Sequence, residues 1–366
     1  MDEKRKHILF ITPSLASTGS EILLFHLINF LAVRFSIAVI CYKEGDLISS
    51  LNKSVKVHVV NYEEPKTILQ KIVRRLKKHI VFPYLFSKYK KSQWYINTIV
   101  LPIPIEYAVI NKVDFILHVH ELEHMYKFLS KEQLNRAINK PKLLIANSSV
   151  TKKHLIKAGS TQTIKIINPF IDVSLIETFK VNQLVEKQKQ FCWVMAGSID
   201  DNKNPNLFIK IASEAKNRNL PYKFIWLYHS ISDDVLFLDI QKQVKSKNIL
   251  VEFIKTNNYK DYLTHFSKAD GLLLTSIFES FSMVTLEALV LEMAIVVNDC
   301  GGVTEIISEK TASIISLNSD MDVYLKAMNF ELERINEVRL EKNKITQSFD
   351  KGKILADWEN LILSIN

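Results

Sequence analysis

Two glutamates eight positions apart, Glu279 and Glu287, bracket a turn in the stretch TSIFESFSMVTLEAL (275–289). Carboxylates so placed can address a sugar and a ribose diol, with a pyrophosphate between them. Upstream, GLLLTS (271–276) is a short apolar run of the kind a buried parallel strand requires; downstream, SMVTLEALVLEMA has the apolar spacing of a helix. Ser282 reads as the N-cap, which leaves the amides of Met283, Val284 and Thr285 as unpaired first-turn donors at the positive end of the helix dipole. Such an end attracts phosphate. Glu279 then lies in the loop at the carboxyl end of a strand, where open α/β sheets bind ligands, and Glu287 about a turn into the helix. The same two glutamates are also what a helix dipole favours with no chemistry attached.

The surrounding residues carry a resemblance. The run ES-F-S-x-V-x-x-EA, followed by IVVNDCGGVTEII (295–307), is similar to the retaining glycosyltransferases of family 4, also called group 1. That family has a Glu-x7-Glu signature, then a strand and a Gly-Gly-x-x-Glu loop. The resemblance implies two doubly wound Rossmann-like domains facing across a cleft, the glycosyltransferase-B architecture. It implies a nucleoside diphosphate sugar as donor, no metal and no other cofactor. Glu279 would hold the sugar hydroxyls and fix the donor's orientation, Glu287 would bind the ribose, and Gly301, Gly302 and Glu305 would line the donor or acceptor side of the cleft.

Other segments extend the match. AGSIDDNKNPNLFIKIA (196–212) has the family's Gly and, six positions later, its Lys, here Gly197 and Lys203. The family commonly has Arg after that Gly; this chain has Ser198, so one cation of the phosphate clamp is missing and a hydroxyl stands in its place. By itself Lys203 would read as a solvated lysine in a polar turn. After the first strand, TPSLASTGSE (12–21) places Gly19 before a helix, where a residue without Cβ lets backbone approach a ligand. The family has two adjacent glycines there, and this chain has Thr18, Gly19, Ser20. Lys255 and Thr256 follow the ILVEFIK strand, where the family's backbone meets a base. Glu292-Met293-Ala294 stands where the family has Gly-x-Pro.

HVHELEH (118–124) invites a metal reading, but it lacks a carboxylate partner set, and we expect none. The resemblance instead places His120 near the transferred sugar, with His118 a packed strand residue and Glu121 orienting its neighbour or capping the loop.

These residues need a scaffold, and strands alternate with helices throughout, which implies parallel sheets. Strands are expected at 7–12, 36–42, 55–61, 114–121 and 142–148, then 191–198, 222–230, 249–255, 271–276 and 294–299. We expect an N-terminal acceptor-side domain over 1–175, a linker to Gln190, a donor domain over 190–351, and a closing helix (about 352–366) packing back on the first domain. A chain of 366 residues, 47% hydrophobic, is long enough for two cores. No run long enough to span a membrane occurs, and MDEKRKHILFITPS passes directly from charges into a strand, so we expect a cytoplasmic protein. Cys41, Cys192 and Cys300 lack metal or disulfide spacing and read as buried thiols.

The formal charge of +9 is concentrated between Lys66 and Lys91, where nine Lys or Arg, among them Arg74, Arg75, Lys77 and Lys78, interleave with apolar residues and no acid. Such a stretch suits an anionic membrane surface, although a solvated helix face in a basic protein would look the same. No nucleic-acid-binding signature accompanies it. The expectation is therefore peripheral contact at the inner face of the cytoplasmic membrane, a lipid-linked or other saccharide acceptor, and a place in capsule, O-antigen or lipopolysaccharide assembly. A silent nucleotide-sugar-binding protein and a nucleotide-sugar 2-epimerase are the alternatives. A dinucleotide oxidoreductase is disfavoured because no G-x-G-x-x-G follows either first strand.

Overall fold

Near-continuous apolar runs such as HILFIT and AIVVN are buried on both faces, which only a sheet covered on both sides can provide. The computed structural model describes residues 6–16, 19–180, 190–334 and 339–365. The chain divides into two compact units, Met1–Pro169 with Ile354–Asn366, and Phe170–Lys353. Thr18 lies outside the described residues.

The first unit contains strands β1 (His7–Thr12), β2 (Ser36–Cys41), β3 (Lys56–Val59), β4 (Gln93–Ile96), β5 (Phe115–Val119), β6 (Leu143–Ala146) and β7 (Ile164–Ile166). They pair in parallel in the order β3-β2-β1-β4-β5-β6-β7. The second contains β8 (Phe191–Ala196), β9 (Tyr222–Tyr228), β10 (Val251–Lys255), β11 (Gly271–Leu274), β12 (Ala294–Asn298) and β13 (Ser313–Ile315). Their order is β10-β9-β8-β11-β12-β13, again parallel. The class is α/β, with a Rossmann-like sheet in each unit.

In each sheet the strand order reverses once, between β1 and β4 and between β8 and β11. Beyond the carboxyl ends of the strands at such a point the two loops diverge and leave a crevice, where open sheets bind ligands. Gly271 lets β11 lie against β8, because a Cβ there would come 2.5 Å from the Trp193 ring. The sequence reading placed no strand at β4, β7 or β13. Each is only three or four residues long, too short for periodicity to register, yet β4 forms one side of the first reversal.

The basic stretch is helical from Ile68 to Lys88. Thr67 and Gln70 form a capping box at its start. Pro83 has no amide to donate back one turn, and the helix widens to a π turn over Lys77–Val81 just before it. Ile68, Leu69, Ile72, Leu76, Ile80 and Tyr84 are each at least 50% exposed and recur at helical spacing along one side. Among the described residues no helix is long and apolar enough to cross a membrane. All three cysteines are buried and free, and burial pushes the Cys41 and Cys192 thiols up to about 12.

Candidate active site

At the reversal in the second unit, β8 ends on Ala196 and the chain turns through Gly197, whose φ of +146° disfavours any side chain. A Cβ there would also sit 3.0 Å from Lys203 Cε, so this glycine makes room for the lysine stem. Asp200 caps the following turn by accepting from the Lys203 amide at 3.0 Å. Asn202 then joins this loop to the one after β11. Its carbonyl accepts from Ile277 N (2.8 Å), its Oδ1 from Phe278 N (3.0 Å), and its Nδ2 donates to Phe278 O (3.0 Å). Thr275 Oγ1 donates to the Lys203 carbonyl at 2.8 Å.

Lys203 Nζ therefore meets Glu279 Oε1 at 2.5 Å, with side chains 20% and 11% exposed. Burial alone would depress the lysine, but the Glu279 charge and hydrogen bond, with Asp200 behind them, raise it overall. The ammonium is held charged. Glu279 is pinned from its other side as well: its amide donates to Cys300 O at 2.7 Å, and its carbonyl accepts from Gly302 N at 2.7 Å. Gly301 adopts φ +104°, and a Cβ on Gly302 would lie 2.2 Å from Ser280 O, so the close approach of the two loops depends on this glycine pair. Behind them Asn298 Nδ2 donates to Thr275 O (2.8 Å) and Ser276 O (3.2 Å), and Tyr324 OH donates to Asn298 Oδ1 (2.6 Å).

The helix Met283–Val290 starts at Ser282, which accepts from the Thr285 amide at 3.4 Å. Of the three amides expected to be unpaired, Thr285's is therefore used by the cap, for the reason that makes serine a good cap; those of Met283 and Val284 remain as first-turn donors. Glu287 is 3% exposed and accepts from Tyr259 OH (2.8 Å) and Tyr262 OH (2.5 Å). Burial pushes its carboxyl up to about 7, against the pull of the two phenols. Ser198 Oγ accepts from Ser230 Oγ at 3.0 Å. Lys255 is the exposed last residue of β10, two strands from the reversal, and Thr256 beyond it is buried with its amide on Tyr228 O at 2.8 Å. Glu305 closes the short turn Gly302–Glu305. Glu292, where the resembled family has glycine, has φ +58° and pairs with Lys180 at 2.5 Å, so the left-handed backbone is kept and the ion pair holds the side chain.

At the reversal in the first unit the materials differ. Gly19 and Ser20 open the helix Gly19–Leu31, and buried Glu21 accepts from Ser14 Oγ and from Ala16 N (3.3 Å), folding the preceding loop back on the helix start. His118 on β5 and His120 just past its end have their rings 3.9 Å apart, on the same side as residues two apart along an extended chain should be. Tyr95 OH and His118 Nδ1 share a hydrogen bond at 2.6 Å, and His120 Nε2 donates to Asn97 Oδ1 at 3.1 Å. Burial pushes His120 down to about 4 and His118 well below its ordinary value, so both are neutral near pH 7. Glu121 accepts from Thr98 Oγ1, His120 N (3.1 Å) and Ile99 N (3.4 Å), and so caps the loop. Trp358, in the closing helix Lys351–Ser364, packs its ring at a tilt against His118, centroids 5.1 Å apart.

The structure thus brings Gly197, Lys203, Glu279, Gly301 and Gly302 together and sets Glu287 in a separate tyrosine pocket. Sequence reasoning missed Asn97, Asn202, Tyr259 and Tyr262. Tyrosines three apart in a helical stretch were visible; their shared partner 25 and 28 residues away was not. Of the basic residues, Arg74 is tied to Glu64 and lies 4.8 Å over the Tyr62 ring, and Lys77 donates to Asn61 O at 2.7 Å, whereas Arg75 and Lys78 are exposed. Among the described residues no cluster of three His, Cys, Asp or Glu is placed to hold a metal ion.

Comparison with known proteins shows what the chain is similar to. Residues 177–346 match the family described as glycosyl transferases group 1. Over 98% of both chains the sequence is 25% identical to a Campylobacter jejuni enzyme, the GalNAc-alpha-(1->4)-GalNAc-alpha-(1->3)-diNAcBac-PP-undecaprenol alpha-1,4-N-acetyl-D-galactosaminyltransferase. A second Campylobacter jejuni enzyme, an N-acetylgalactosamine-N,N'-diacetylbacillosaminyl-diphospho-undecaprenol 4-alpha-N-acetylgalactosaminyltransferase, is 24% identical over 94% of this chain and 96% of its own. Among solved structures, Anabaena HepE in complex with UDP and glucose superposes with a TM-score of 0.77 at 17% identity, covering 98% of this chain and all of that one. The match over residues 177–346 and the near full-length similarity to two named glycosyltransferases show that the protein is a glycosyltransferase.

Proposed function

We propose that the protein moves a sugar from a nucleoside diphosphate sugar to a lipid-linked saccharide, with retention of configuration and without a metal. The observation that carries this reading is the Lys203–Glu279 pair at the β8/β11 reversal, in the loop that leads into the helix Met283–Val290. The donor diphosphate takes the Lys203 ammonium and the helix amides, and these stabilise the charge that grows on the leaving group. Glu279, released from the lysine, accepts from sugar hydroxyls and orients the anomeric carbon, while Glu287 accepts from the ribose. The acceptor oxygen attacks that carbon, the bond to the β-phosphate oxygen breaks, and the acceptor's proton passes to the leaving phosphate. The second unit is the donor side in this reading. The first is the acceptor side, where neutral His120 meets a sugar hydroxyl, and Gly19, Ser20 and the Thr18 loop serve diphosphate or acceptor.

Several findings support the finer points. The two Campylobacter relatives act on diphospho-undecaprenol-linked saccharides by name, and HepE is described with UDP, which favours a UDP-sugar and a role in surface-glycan assembly. The exposed apolar stripe from Ile68 to Tyr84, flanked by Arg75 and Lys78, favours peripheral seating on an anionic inner leaflet, each basic group adding about 1 kcal/mol. Ser198 in place of a second clamp cation favours one rival, a protein that binds donor without turning it over.

The test is to incubate the protein with UDP-N-acetylgalactosamine, UDP-N-acetylglucosamine or UDP-glucose and short diphospho-polyprenyl saccharides. Transfer with retained anomeric configuration, lost in Lys203→Ala and Glu279→Ala, is expected. Donor binding without transfer or hydrolysis would favour the silent binder, and a free epimer without acceptor would favour the epimerase.

A further inference from the structure

A carboxylate that accepts ribose hydroxyls must be ionised, correctly turned, and have an open lone pair on each oxygen. At 3% exposure, Glu287 does not meet the first two requirements by itself: burial disfavours its charge, and water cannot fix its orientation. The helix Tyr259–Phe266 supplies what is missing. Tyr259 and Tyr262 lie one turn apart, and each donates its hydroxyl to a different oxygen of Glu287, Tyr259 to Oε1 at 2.8 Å and Tyr262 to Oε2 at 2.5 Å. An ionised carboxylate offers about four acceptor positions, so two phenols leave about one on each oxygen. The donors are themselves rigid. The tyrosine rings stack 5.8 Å apart, Tyr262 stacks on Phe266 at 5.0 Å, and Asn258 caps the helix that carries them.

We infer that Tyr259 and Tyr262 are positioning residues for ribose recognition, holding the Glu287 carboxylate so that one lone pair on each oxygen faces the 2′ and 3′ hydroxyls of the nucleotide. This rests on the ribose role proposed for Glu287 and adds the groups that make it workable. Removing one phenol leaves one oxygen free to turn, so the two ribose hydroxyls no longer find both acceptors at once. The loss is confined to the diol: contacts to the base and the diphosphate are unchanged, and so is the chemical step.

The test compares UDP with 2′-deoxy-UDP by calorimetry on wild type, Tyr259→Phe and Tyr262→Phe, with steady-state kinetics on a UDP-sugar. Wild type should prefer UDP by roughly tenfold or more, as a site built to bind a hydroxyl does. Each phenylalanine variant should lower that ratio to within about threefold by weakening UDP more than 2′-deoxy-UDP, which has only its 3′ hydroxyl to lose, with KM raised and kcat kept. Wild type with no preference for UDP, or binding neither nucleotide, would sink the ribose reading of Glu287 itself. A clear wild-type preference that survives in both variants would overturn the inference alone. Equal weakening of both nucleotides would do the same, since it would mark the tyrosines as structural supports. Thermal melts of both variants show whether each is folded, and Glu287→Gln, which keeps the phenol partners but lacks the second acceptor oxygen, should copy the loss of ratio.

Discussion

The two reversal points occupy the same place in two similar sheets, yet they are built from opposite electrostatic material. At β8/β11 the Lys203 ammonium, held charged by Glu279, is in contact with that carboxylate, and the pair is fixed by Asn202, Cys300 O and Gly302 N. At β1/β4 the loop after β4 carries the Asn97 amide, and the neighbouring strand β5 and its end add two histidines that burial keeps neutral and a carboxylate, Glu121, consumed by capping. A charged site suits a diphosphate, where charge-assisted contacts are strongest. A neutral one suits sugar hydroxyls, which need directional donors and acceptors without the desolvation cost of an ion. The two sheets therefore offer the same kind of crevice, and the residues around it make one charged and the other neutral.

The comparison breaks first at Lys203. Lys203→Ala removes the phosphate-facing cation and leaves Glu279 without its partner, so kcat/KM for the donor should fall by about 10²-fold or more, and a fall under about threefold would mean the charged reversal point is not the donor site. Gly302→Ala is next. Its Cβ would fall 2.2 Å from Ser280 O, forcing the Glu279 loop away from Gly301 at a cost of about 2–3 kcal/mol in urea titrations, with loss of turnover.

Acid should act on the two units with opposite sign. Glu287 at about 7 holds its proton more tightly folded than at the ordinary 4.5, so its contribution to stability is fully present below 4.5 and is lost as pH rises through 7. Glu287→Gln should therefore gain on wild type between pH 5 and 8, by on the order of 2–3 kcal/mol at most. His120 at about 4 lies below its ordinary 6.5, so its contribution is present above 6.5 and is lost as pH falls through 4. His120→Asn should gain on wild type between pH 7 and 4.5, by on the order of 1–2 kcal/mol. Difference curves of the same sign would remove the contrast.

The smallest effect is expected at the helical surface. Arg75→Glu with Lys78→Glu should weaken sedimentation with phosphatidylglycerol vesicles by roughly tenfold or more at low salt and leave neutral vesicles unaffected. Unchanged sedimentation would return the basic stretch to a solvated helix face.

The side of the site proposed to take the donor was legible because its residues are local. Glu279, Ser282 and Glu287 lie within one loop and helix, and the strand before them and the Gly301-Gly302 pair after them are continuous text. Asn97 was not legible, because β4 is four residues long and its place beside β1 depends on a crossover of more than fifty residues after β2. Pairing over that separation leaves no mark in local periodicity. The acidic partner of Lys203 was a candidate on sequence, but the contact between them was not foreseen.

The sequence by itself determined the alternation of strands and helices, the apolar runs that demand two covered parallel sheets, and the residue types available for phosphate and sugar, since each is set by spacing within one or two elements. Only the tertiary structure decided the strand order, and with it the two reversal points, the Lys203–Glu279 pair, the phenols on Glu287 and the neutrality of the histidines. Those depend on burial and on groups brought together from distant parts of the chain, and a residue's charge state is fixed by the neighbours that replace its water.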